Sequence, residues 1–134
     1  MNDIKDELCK VAVEYKEKAY APYSGFRVGA AILASGKVFG GANVENASYP
    51  AGICAERVAG SKAVTGGAME FEAIAVACDT ITPVYPCGVC RQFLGEFIPT
   101  DCLVLLIGGN GDVVDTTFNA IFPNRFLAGD MRDE

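Results

Sequence analysis

The chain has 134 residues and a mass of 14.1 kDa, which suits one compact domain over residues 1–134 that folds without disulfides. Apolar residues make up 51% and charged residues 21%, far from the composition of disordered chains. Seventeen acidic against eleven basic side chains leave a net charge of −6, which disfavours a nucleic-acid polymer or an anionic membrane as partner.

Apolar runs such as Cys102–Ile107 fall far short of the ~20 residues a membrane-spanning helix needs. Met1–Lys10 lacks the basic start and apolar core of a signal peptide, so a cytoplasmic location with reduced cysteines is expected. Histidine is absent, which excludes mechanisms built on an imidazole base, Ser-His-Asp and Cys-His hydrolases included. Chemistry must then use carboxylates, thiols or a metal.

In chain order, Ile4, Leu8, Val11, Ala12, Tyr15 and Ala19 recur at spacings of three and four and predict a helix from Asp3 to about Ala21, ended by Pro22. Phe26, Val28, Ala30 and Ile32 alternate with Arg27, Gly29 and Ala31, and Ser35-Gly36 separates this run from Val38–Gly41, which reads as a β-hairpin. Residues 43–53 are rich in Asn, Gly and Pro and read as a loop leading into a helix over Cys54–Val64, closed by Gly66-Gly67. A buried strand over Phe71–Cys78, a short helix over about Cys87–Phe97 and a buried strand over Leu103–Ile107 follow. Gly108–Gly111 is a tight turn, Val113–Thr116 an edge strand, and the tail from Asn119 is irregular or briefly helical. The order α-β-β-α-β-α-β-β is that of α/β layers with helices on both faces of a sheet.

Six cysteines in a cytosolic chain suggest a metal more than disulfides, and they are not equivalent. Cys78 and Cys102 lie in apolar strands and Cys9 on the first helix, where each reads as a small buried hydrophobe. Cys54 opens one helix, and Cys87 and Cys90 open another in the sequence Pro86-Cys87-Gly88-Val89-Cys90. Helix N-termini favour thiolates, so two such ends side by side would bring together three soft ligands suited to zinc. Without histidine as a fourth ligand, three cysteines plus an open position is the catalytic pattern. Glu56, two residues after Cys54, is placed to exchange protons there; alone it would read as a charge complementing the helix dipole. Three thiolates and a dication sum to −1, and Arg57 is the natural compensator, its bland reading being a solvated helix charge.

Cys54-Ala55-Glu56 followed by Pro86-Cys87-x-x-Cys90 resembles the zinc deaminase signature, with cysteine in place of the first-ligand histidine. The segments Ala21-Pro22-Tyr23-Ser24-Gly25-Phe26-Arg27-Val28-Gly29-Ala30-Ala31, Gly41-Ala42-Asn43-Val44-Glu45-Asn46-Ala47-Ser48-Tyr49-Pro50 and Cys87-Gly88-Val89-Cys90-Arg91-Gln92 are similar to the small, homotetrameric, zinc-dependent cytidine deaminases. The resemblance covers essentially the whole chain. It implies a three-layer α/β/α fold with a five-stranded mixed sheet, and one Zn²⁺ per chain held by Cys54, Cys87 and Cys90. It further implies hydrolytic deamination of cytidine and 2′-deoxycytidine in pyrimidine salvage, with Glu56 carrying the proton. Asn43 and Glu45 correspond to side chains that hold the ribose hydroxyls, Phe26 to the aromatic against the pyrimidine, and Ala55 to the residue whose backbone N–H meets the base. Ala47 and Tyr49 match positions supplied to a neighbouring subunit's site, and Phe126 matches the C-terminal aromatic that closes one. Ile121-Phe122-Pro123 stands where the family usually has Leu-Leu-Pro.

Three rivals follow from the same residues. A zinc deaminase could act on polynucleotide cytosine or on a small antibiotic-like nucleoside. A non-enzymatic zinc-stapled module could take Cys9 as its fourth ligand, and a thiol redox protein could use Cys87 and Cys90 while leaving Cys54 and Glu56 without a role.

Overall fold

Residues 2–132 are described by the structure, a computed structural model. The apolar stripe of the first segment winds Asn2–Lys16 into α1, with Leu8 and Ala12 fully buried. The helix stops at Lys16, short of the expected Ala21. Tyr20 instead extends beside the following loop, its N–H donating to the Asn43 carbonyl at 2.9 Å and its carbonyl accepting from the Glu45 N–H at 2.8 Å.

Five strands form one sheet: β1 (Val28–Ala34), β2 (Lys37–Ala42), β3 (Phe71–Cys78), β4 (Leu103–Ile107) and β5 (Val113–Thr117), in the order β2-β1-β3-β4-β5. β3 and β4 are parallel, joined across α3 (Gly88–Gly95), and every other pairing is antiparallel. The sheet is therefore mixed, as the resemblance implies. Ser35 and Gly36 both have positive φ, 51° and 75°, which gives the hairpin the twist-matched two-residue turn.

Successive strand residues point to opposite faces, and both faces are covered. On one side α1 packs Leu8 and Ala12 over Ala31, Ala73, Ala75, Leu105 and Ile107. On the other, α2 (Ala55–Thr65) and α3 pack over Ala30, Ile32, Ile74, Val76, Val104 and Leu106. The strand β1 is thus buried on both sides. Close approach is set by two glycines: a Cβ at Gly29 would lie 2.0 Å from the Ala12 carbonyl, and one at Gly41 2.5 Å from the Ala59 nitrogen. Three fully buried alanines, Ala55, Ala59 and Ala63, give α2 the flat face this contact needs.

The start of β1 and the ends of β2 and β3 meet at one end of the sheet, where Val28 faces Cys78 and Gly29 faces Ala42. Arg27 grips Asp79 there with both Nε (2.8 Å) and Nη2 (3.1 Å), and Lys16 reaches the same carboxylate at 3.2 Å. The tail adds a short α4 (Phe118–Ile121) and a 3-10 turn at Ala128–Met131. No described helix is long and apolar enough to cross a membrane.

Candidate active site

Cys54 is the N-cap of α2 and Cys87 the N-cap of α3, each in extended backbone and neither spending its side chain on a cap bond. Cys90 is the third residue of α3, one turn on from Cys87 and on the same face. The two helix starts converge so that the three Sγ atoms lie within 4.8 Å of one another, with Cys54 and Cys87 at 4.0 Å. Tetrahedral zinc with bonds of ~2.3 Å would set its sulfur ligands about 3.8 Å apart, so the donor set fits a soft divalent cation. Cys9 belongs to the core on the opposite face of the sheet, which separates it from the cluster.

The environment favours thiolate at Cys54. Hydrogen bonding from Cys90, then from Arg57 and Cys87, brings the Cys54 thiol down to about 5 despite partial burial. Cys90 moves the other way, pushed far up by its bond to Cys54 and by burial. Sulfurs this close cannot all ionise alone, and a dication relieves that repulsion. Arg57 Nη2 donates to Cys54 Sγ at 3.8 Å. Burial works against its charge, but the Cys54 and Cys90 sulfurs hold the guanidinium above its ordinary range. Its Nε is buried without a hydrogen-bond partner.

Glu56 is the second residue of α2 and only 5% exposed, the one charged residue in the buried class among those described. Burial pushes its carboxyl up to about 7, with the Cys54 charge adding to the rise and Arg57 opposing it. A carboxyl poised near neutrality inside a cleft is suited to taking up and giving back a proton.

Two adjoining clefts meet at Asn43 and Cys54. The inner one, about 220 Å³, is lined by Phe26, Val28, Ala55, Glu56, Val76, Val84, Tyr85 and Cys87 along with the shared pair. The outer one, about 400 Å³, adds Tyr23, Ser24, Glu45, Tyr49 and Arg57. Phe26 precedes β1 rather than lying in it. Its carbonyl accepts from Asn43 Nδ2 at 2.9 Å, and the Val28 N–H donates to Asn43 Oδ1 at 2.9 Å. Glu45 Oε1 accepts the backbone N–H groups of Tyr23 and Ser24, both at 3.0 Å, and Oε2 accepts the Ser24 hydroxyl. The Ser24 hydroxyl, followed by these amides, holds the Glu45 carboxyl below its usual range.

Tyr49 lines the outer cleft of its own chain, 76% exposed and edge-on to Tyr23 with ring centroids 6.2 Å apart. Ala47 is exposed in the same loop. Phe126 is exposed on the tail, where its carbonyl accepts from Gln92 Nε2 at 2.8 Å. Neither Ala47 nor Phe126 lines the clefts of its own chain. Sequence reasoning missed Tyr85, whose only signal was an aromatic two residues before a ligand-type cysteine, and Ser24, which sits in a turn with no periodicity.

The sequence pattern of the family described as "Cytidine and deoxycytidylate deaminase zinc-binding region" matches residues 2–106. The cytidine deaminase of Halalkalibacterium halodurans is 48% identical over 127 residues, 94% of this chain and 96% of that protein. The blasticidin-S deaminase of Bacillus cereus is 32% identical over 129 residues, 90% of each. The crystal structure of cytidine deaminase from Burkholderia pseudomallei superposes with a TM-score of 0.85 at 45% identity, over 90% of this chain and 98% of that one. A family match running from α1 into β4, and taking in all three convergent cysteines, places the chain in the cytidine and deoxycytidylate deaminase family.

Proposed function

We propose that the protein is a zinc-dependent hydrolytic deaminase that converts cytidine and 2′-deoxycytidine to uridine and 2′-deoxyuridine with release of ammonia, serving pyrimidine salvage in the cytosol. The observation that carries this reading is the buried Glu56 beside three convergent cysteine sulfurs at the wall of a cleft. Cys54, Cys87 and Cys90 hold one zinc per chain. When bound, the ion supplies Lewis acidity that makes water a competent nucleophile near neutral pH.

Glu56 takes a proton from the attacking water and delivers it to ring N3, which makes C4 of the base more electrophilic. The oxygen adds to C4, Glu56 takes the proton that remains on that oxygen and passes it to the amino group, and the C4–N4 bond breaks, so that cytidine plus water gives uridine plus ammonia. Arg57 offsets the net negative charge of the three thiolates and the dication.

Phe26 offers a face to the pyrimidine, an interaction worth ~1–3 kcal/mol. The N–H of Ala55 opens α2, has no intrahelical acceptor, and meets the base. Asn43 and Glu45 hold the ribose hydroxyls. The Asn43 amide keeps one N–H beyond its bond to Phe26, and the Glu45 carboxylate keeps an accepting position on Oε2 beyond the Ser24 hydroxyl. A homotetramer completes each site: Ala47 and Tyr49 reach a neighbour's cleft, and Phe126 closes one, which covers aromatics that a lone chain leaves exposed.

The test is loss of cytidine absorbance on mixing with purified protein, with zinc measured on the same sample. No turnover by a zinc-loaded protein would overturn the reading. The Bacillus cereus relative supports a second reading, an antibiotic-like cytosine nucleoside as substrate. The Asn43 and Glu45 pair favours free ribose, and a panel of cytidine, deoxycytidine and blasticidin S separates the two.

A further inference from the structure

Helix α3 presents Cys87 and Cys90, and the next residue, Arg91, turns its side chain back past them. Arg91 Nε donates to the Pro86 carbonyl at 2.7 Å, and Nη1 donates to the carbonyl of Ile121, the last residue of α4. Both acceptors need such a donor. The Pro86 carbonyl precedes the N-cap, outside the hydrogen-bond ladder of α3, and the Ile121 carbonyl is among those a helix C-terminus leaves unpaired. Pro86 itself is buried.

The bond to Pro86 bears directly on Cys87. A peptide unit is planar, so fixing the Pro86 carbonyl fixes the plane that enters Cys87, whose φ is −67°. The far side of Cys87 is fixed by the start of α3, where the Arg91 N–H donates to the Cys87 carbonyl at 2.9 Å. With both planes set, the Cα–Cβ bond of an otherwise exposed residue has one direction. The planar fork of a guanidinium can serve two carbonyls on different segments at once, which the single nitrogen of lysine does poorly.

We propose that Arg91 is a positioning residue for the metal-binding turn: it pins the Pro86 carbonyl against the end of α4, so that the Cys87 sulfur stands where Cys54 and Cys90 converge before any ion arrives. The proposal rests on the reading of the three cysteines as a zinc site.

The experiment measures zinc release from the loaded protein into excess chromogenic chelator, beside the melting temperature, for wild type, Arg91→Ala, Arg91→Lys and Arg125→Ala. Arg125 is the matched control, because it also donates to two carbonyls, Gly95 at 3.1 Å, the last residue of α3, and Thr100 at 2.8 Å, at the end of the helix away from the cysteines. Arg91→Ala is expected to release zinc about 10–100-fold faster, the scale on which losing the groups that orient a metal ligand weakens metal affinity. Arg91→Lys should restore little of this, while Arg125→Ala should melt earlier yet release zinc at the wild-type rate. Wild-type release from Arg91→Ala, or equally fast release from Arg125→Ala, overturns the proposal. If Arg91→Ala does not fold, Arg91→Lys carries the test, and wild-type release from it counts against the proposal. A wild-type chain that holds no zinc overturns the metal reading itself, and the role of Arg91 with it.

Discussion

Asn43 donates from Nδ2 to the Phe26 carbonyl at 2.9 Å while its Oδ1 accepts the Val28 N–H, also at 2.9 Å. One side chain thus imitates a strand's pairing across the position where β1 begins, and it holds Phe26 at the cleft. Asn43→Ala would strand two part-buried backbone groups, at a cost of about 1–3 kcal/mol, and should also raise KM. Urea denaturation with steady-state kinetics checks both. Unchanged stability would mean that Asn43 serves the ligand alone.

Glu56→Gln keeps the shape of the side chain but cannot carry a proton. It should retain zinc and lose roughly 10²–10⁴-fold or more in rate. Its stability should also depend differently on pH. The folded carboxyl titrates at about 7 against a usual 4.5, so between those values the folded chain keeps a proton that the unfolded chain has lost. Wild-type stability therefore falls as pH rises through that window, and the glutamine variant escapes the loss. Denaturation in chelator at about pH 5 and about pH 8 should show Glu56→Gln gaining on wild type at the higher pH. A constant difference would argue against a buried, proton-holding carboxyl.

Alanine at Cys54, Cys87 or Cys90 should abolish stoichiometric zinc, whereas Cys9, Cys78 and Cys102 can be replaced with the metal retained. Cys102 lies buried just before β4 and Cys78 at the end of β3, and neither belongs to the group of converging sulfurs. Metal analysis of the six variants decides. Zinc retained at full occupancy in Cys87→Ala would sink the site.

Removing the Arg57 charge leaves a more negative cluster, so Arg57→Gln should slow turnover at neutral pH and recover part of the loss as pH rises. The measurement is a pH–rate profile. A profile superimposable on wild type would show that the guanidinium does not act on the Cys54 sulfur.

Tyr49 is the most exposed large hydrophobic residue of those described, at 76%. A charged replacement, Tyr49→Asp, should give smaller species and remove activity in the same step. Light scattering and turnover on the same fractions test this, and a fully active monomer would withdraw the intersubunit roles of Ala47, Tyr49 and Phe126.

The layered fold was legible because each element carries its own period, and the cysteine cluster because two helix starts announce themselves by composition. The end of α1 and the order within residues 43–53 were not. Tyr20 pairs with Val44, and Val44 with Ile53, through isolated bridges between segments that share no periodicity. Ala19 keeps helical spacing although the chain has already left the helix, because the pairing of Tyr20 with the loop outweighs local propensity. Glu45 is similar: without the family likeness it is a turn residue, and only the fold puts it against the amides of Tyr23 and Ser24.

Cys54, Ala55, Glu56 and Arg57 are consecutive, and the first turn of α2 fans them around its axis. A helix advances about 100° per residue. One residue inserted within this quartet would rotate everything after it by that angle, taking the carboxyl out of the cleft and the guanidinium off the sulfur. Added at the exposed Asn110-Gly111 turn between β4 and β5, the same residue would loop outward and leave the fan intact. Length is therefore frozen over four positions and elastic at that turn, so natural size variation in this lineage should collect between β4 and β5 and vanish between Cys54 and Arg57.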